Sequence, residues 1–150
     1  MVAKTHLDLG FTAPAHEVVQ RYLEDFFPRA ISAATRLRST PGPERLIWTT
    51  GSWILHQALT VGPAVRRERV AEAVRAGDLA WHALALTTHT ELMDRWLFEA
   101  GLSISAELDA EFATTTTAAK MTDVPGHTRA MVPMLARAGV TFLHLGVNPA

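Results

Sequence analysis

Two short polar stretches carry the residue types that could do chemistry: His6-Leu7-Asp8-Leu9-Gly10-Phe11 and Thr122-Asp123-Val124-Pro125-Gly126-His127. Each follows an apolar stretch that reads as a β-strand, and each holds a glycine that lets the chain turn. Side chains two apart on a strand point to the same face, so His6 and Asp8 can converge on one ion. Asp123 adds a second carboxylate. One imidazole and two carboxylates suit zinc, and also manganese, cobalt or calcium. Three protein ligands leave positions open to substrate oxygens, as metal-assisted catalysis requires. The chain has no cysteine, so any metal site must use His and carboxylates.

Further polar residues fall at expected strand ends: Thr49, Thr50 and Trp53, then His89 and Glu91, then His127, and finally His144 and Asn148. In parallel α/β proteins ligands bind at the carboxyl ends of the strands. Trp53, His89, Glu91 and His127 are therefore the candidate substrate-facing residues. Plainer readings stand beside these. Asp8 can cap a turn, Asp123 before Val-Pro-Gly can form one, and Glu91 can sit at a helix N-terminus stabilised by its dipole. His144 can be a satisfied strand histidine, and Trp53, Trp81 and Trp96 can be core aromatics.

The elements that must position these residues alternate along the chain. The first strand is expected at Val2–His6. A helix follows from Pro14, with apolar positions at Val18, Val19, Tyr22, Leu23, Phe26 and Phe27; Pro28 kinks or interrupts it, and helical spacing resumes through Ile31 to Leu37. Strands are expected at Arg45–Thr49, Leu79–Leu86, Ala118–Thr122 and Val140–Leu145. Between them the pattern predicts helices over Trp53–Leu59, Pro63–Arg75, Glu91–Ala100, Ser103–Ala113 and Thr128–Ala138. Strands alternating with helices predict an α/β fold, a parallel sheet with right-handed crossovers.

The chain of 150 residues is about one domain's length, and no linker divides it, so residues 1–150 are read as one domain. Hydrophobic residues make up 48% and charged residues 19%, a composition that can bury a core. Net charge is −1, which gives no basis for nucleic-acid or membrane-surface binding. No signal-like segment follows Met1 and no apolar run reaches a membrane span, so a cytoplasmic location is expected.

The two polar stretches resemble the metal-binding and nucleophile motifs of family 38 glycoside hydrolases, the retaining α-mannosidase family. The first family motif is His-x-Asp-x-Gly-Trp, and Phe11 stands here in place of Trp. The second is an Asp followed by Pro-Phe-Gly-His, and here the Pro is shifted by one. The run Lys4–Thr12 looks still more like a divergent branch of family-38-like proteins, and the stretch Thr128–Leu135 is similar to the helix after the second motif. The resemblance implies that His6, Asp8 and Asp123 bind zinc, that Asp123 is also the nucleophile, and that the substrate is a carbohydrate. It implies about five strands of an incomplete seven-stranded β/α barrel. It also implies a fourth metal ligand and a general acid from a later part of the family's chain, without which the 150 residues alone are expected to be inactive. An unclosed sheet would leave an edge open to self-association. Two other functions fit the residues: a metal-dependent polysaccharide deacetylase-like barrel, against which the absence of an Asp-Asp pair and a His-x-x-x-His pair counts, and a non-catalytic truncated domain.

Overall fold

The computed structural model describes residues 2–4 and 6–146, and for 2–4 it describes the backbone alone. Asn148, and Thr5 within the expected strand Val2–His6, lie outside the described residues. The chain divides into two compact units, Met1–Thr50 with Ile54–Ala80, and Gly51–Trp53 with Trp81–Ala150.

The first unit opens with β1, Val2–Lys4, which pairs in parallel with β2, Ile47–Gly51, in the register Val2 to Ile47. Helices α1, Ala15–Arg21, and α2, Phe27–Ser39, are joined by a π-helical turn over Tyr22–Phe26. That turn answers the expected break at Pro28. A proline inside a helix lacks its N–H and crowds the preceding turn. Here the widened turn ends just before it, and Pro28 falls in the first turn of α2, where no N–H is needed. The helix thus continues where the sequence suggested an interruption. Tyr22, Leu23, Phe27 and Ile31 bury its inner face. The Trp48 ring lies parallel to Tyr22, with centroids 6.3 Å apart, and edge-on to Phe27 at 4.9 Å. Helix α4, Ala64–Arg75, follows Pro63 and buries Val70, Ala71, Ala73 and Val74. Beyond it Asp78 is buried and accepts a 2.7 Å bond from Arg38.

Strand β3, Leu79–His82, completes a three-stranded sheet of order β1-β2-β3. In the second unit β4, Ala118–Thr122, and β5, Phe142–Gly146, pair in parallel as a separate two-stranded sheet, Ala118 opposite Phe142. The expectation of about five strands of one incomplete barrel is therefore wrong: the strands are short and fall into two small parallel sheets. The backbone shows why. The third strand was expected to run to Leu86 but ends at His82. Beyond it the carbonyls of Leu84 and Ala85 accept from the N–H groups of Ser52 and Trp53, at 3.2 and 3.3 Å, where α3, Ser52–Thr60, begins. Those carbonyls satisfy a helix start and not a ladder. Gly51 permits this close approach, since a Cβ there would lie 2.5 Å from the Ala85 carbonyl oxygen.

Helix α5 runs unbroken over Arg95–Phe112, where two shorter helices were expected about Gly101. Its start is fixed by Asp94, whose carboxylate accepts the Leu97 N–H at 2.8 Å. Buried Phe98, Leu102, Ser105 and Leu108, spaced at three and four, outweigh the roughly 1 kcal/mol that a mid-helix glycine costs. Phe98 and Leu102, with Met131 and Leu135 of α6, Met131–Arg137, pack with Met121 and Val124 in this unit's core.

Candidate functional site

In the first unit β1 delivers the chain to His6, and Tyr22 holds it there. The Tyr22 hydroxyl donates to the His6 carbonyl at 3.0 Å. Tyr22 is the lone tyrosine of the chain and stands on the π-helical turn, packed against Trp48. The widened turn therefore has a positional consequence: it sets the phenol that anchors the first motif. His6 Nε2 and Asp8 Oδ1 lie 2.9 Å apart. The imidazole is mostly covered and the carboxylate is half-exposed, a setting that screens the pair only in part. Gly10 then takes a positive φ of 79°, so the turn after the motif uses the freedom only glycine has. Phe11 is exposed.

The two atoms that share a proton in this pair are a nitrogen and an oxygen, each able to bind a divalent cation. A cation held at Nε2 would require the ring hydrogen on Nδ1.

Asp123 belongs to the second unit. It follows β4 directly and takes a left-handed φ of 65°, rare for a residue with a Cβ. Its N–H donates to the Gly146 carbonyl at 2.9 Å, extending the β4–β5 pairing by one bond. Its carboxylate is exposed. The backbone of Asp123 thus makes the turn that one reading of it expected.

The expected substrate-facing residues also fall in this unit. His89 precedes a short 3₁₀ turn over Thr90–Leu92, and Glu91 lies on that turn, exposed. Glu91 does not cap α5, because Asp94 does. The loop after β4 brings His127 to the same turn. His127 Nδ1 lies 3.3 Å from the Thr90 hydroxyl, and that hydroxyl accepts the Thr128 N–H at 3.0 Å. Burial holds the His127 imidazole below its usual range; the neighbouring His89 lowers it further, and Glu91 opposes this. His127 is therefore neutral at neutral pH. Trp53 lines an apolar cavity of about 320 Å³ with Leu84, Met93, Phe98 and Thr88. His144 lies in β5 on an exposed position.

Sequence reasoning missed Thr90 and Tyr22. Thr90 is buried and ties the two loops together, and its one visible signal was a hydroxyl residue set between His89 and Glu91. Tyr22 was read as an ordinary member of the helix's apolar stripe; being the chain's lone tyrosine in that stripe was its only sign.

No protein-family model, curated protein or solved structure matches the chain. Among the described residues no helix is long and apolar enough to cross a membrane.

Proposed function

We propose that the chain binds a divalent metal, zinc first, through His6, Asp8 and Asp123, and serves carbohydrate hydrolysis of the retaining type with Asp123 as the attacking carboxylate. The observation that carries the metal part is the 2.9 Å approach of His6 Nε2 to Asp8 Oδ1, with the backbone of His6 fixed by Tyr22. A preformed nitrogen–oxygen pair loses little freedom when an ion binds to both atoms. The carbohydrate part rests on the resemblance of the two motifs to family 38, and draws no support from a barrel. In this reading a bound zinc would orient sugar hydroxyls and favour ring distortion, and the Asp123 carboxylate would bond to the anomeric carbon as the glycosidic C–O bond breaks, its oxygen leaving with a proton from the general acid that the resemblance places later in the family's chain. Trp53, His89, Glu91 and His127 would face the sugar.

The test is calorimetric titration of the chain with a panel of methyl glycosides, with zinc present and after its removal by a chelator. At least one glycoside is expected to bind with zinc and to lose that binding in the Asp8→Asn variant. Binding of the same glycoside unchanged by chelation would overturn the metal-dependent reading, and no binding by any of the panel would overturn the carbohydrate reading.

A further inference from the structure

Thr90 is buried, with 3% of its surface exposed, so its hydroxyl proton needs an acceptor. The hydroxyl oxygen already accepts the Thr128 N–H at 3.0 Å. Among the described residues, the acceptor in reach of its own proton is His127 Nδ1, at 3.3 Å. The other arrangement has Nδ1–H donating to the same oxygen. It would leave the threonine proton buried without a partner, at a cost of about 1–3 kcal/mol. The hydrogen bonds therefore select one tautomer. Nδ1 is bare and accepts, and Nε2 carries the hydrogen. Nε2 is itself buried with no hydrogen-bond partner among the described residues.

We propose that Thr90 is a positioning residue that fixes His127 as a neutral Nε2–H donor, directed to an oxygen acceptor of the ligand and unable to serve as a metal ligand. A protonated Nε2 has no lone pair for a cation, and Nδ1 is spent on Thr90. An Nε2–H without a partner is satisfied by a hydroxyl or other neutral or anionic oxygen. Burial lowers the basicity of His127, which keeps the ring in the neutral form that this hydrogen bond requires. His89 and Glu91 are the other titratable groups acting on this ring. The ligand class rests on the carbohydrate reading above, which offers hydroxyl oxygens, but the tautomer does not depend on it.

The experiment is ¹⁵N NMR of the imidazole rings in the full chain at neutral pH. The His127 ring is expected to show a bare Nδ1 and a protonated Nε2. A protonated Nδ1 with a bare Nε2 would overturn the proposal, as would an averaged spectrum of both tautomers. Thr90→Val is expected to lose the fixed tautomer, and Thr90→Ser, which keeps the hydroxyl, to retain it. An unchanged spectrum in Thr90→Val would remove Thr90 from its role. Should Thr90→Val fail to fold, the wild-type and Thr90→Ser spectra still decide. Zinc added to the same sample separates the two proposals. The His6 ring nitrogens are expected to shift while those of His127 stay. Ligation shifts at His127 would refute the donor role, whereas no shift at His6 would refute the metal reading and leave the tautomer standing.

Discussion

At the scale of single residues, pairs of groups matter more than any one side chain. His6 gains its meaning from Asp8 at 2.9 Å and from the Tyr22 hydroxyl on its carbonyl. His127 gains its meaning from Thr90. The consequence for His127 is also thermodynamic. Its folded-state affinity for a proton lies below that of an ordinary histidine, near pH 6.5, so the unfolded chain takes up a proton that the folded chain refuses. Above about pH 6.5 neither state is protonated there and the term vanishes. As pH falls below that value stability is lost, and the loss levels off once the pH passes the lowered folded value. Replacing His127 with Gln is expected to flatten part of the fall in the urea midpoint between neutral and mildly acid pH. An identical fall in both proteins would contradict the assignment. The approach of His6 to Asp8 was legible in the sequence as a pair two positions apart, although β1 ends at Lys4 and the two meet after the strand and not on it. Thr90 and Tyr22 were not legible as site residues, because their roles come from hydrogen bonds to partners 16 to 38 positions away.

At the scale of elements, the order of strands and helices was readable and their ends were not. The strand over Ala118–Thr122 lies where the alternation put it. Strand β3 fell short of Leu86, because the Leu84 and Ala85 carbonyls were claimed by the start of α3, a tertiary pairing that no local pattern reveals. Helix α5 ran through Gly101, because core packing on both sides exceeds one glycine's penalty. The start of that helix offers a graded check. Asp94→Ala removes a single capping bond and is expected to cost about 1 kcal/mol. Leu108→Ala, in the same helix but buried, is expected to cost about 2–5 kcal/mol, since it leaves a cavity. Denaturant unfolding of the two variants measures both. A cap loss equal to or larger than the core loss would mean that α5 is held by its end and not by its packed face.

At the scale of the whole molecule, the barrel expected from the family resemblance gives way to two compact units with small parallel sheets. What the sequence conveyed about chemistry and what it conveyed about architecture are thus separable. The motifs name ligand-type residues, whereas sheet size depends on where carbonyls far from those motifs find their donors. Metal binding has a consequence for the entire fold. An ion bound only by the folded chain stabilises it by about 2.7 kcal/mol at a hundredfold excess over the dissociation constant. Thermal unfolding is therefore expected to move upward with zinc in the wild-type chain and not in the His6→Gln variant. Equal shifts in both would mean that zinc binds elsewhere. The most direct measurement is calorimetric titration of zinc into the wild-type chain and into His6→Gln, Asp8→Asn and Asp123→Asn. One binding event per chain is predicted for the wild type, and each substitution should weaken that same event by more than the roughly ten- to hundredfold that loss of an outer-shell partner typically costs. Wild-type affinity in Asp123→Asn, or no zinc binding by the wild type, would contradict a shared site.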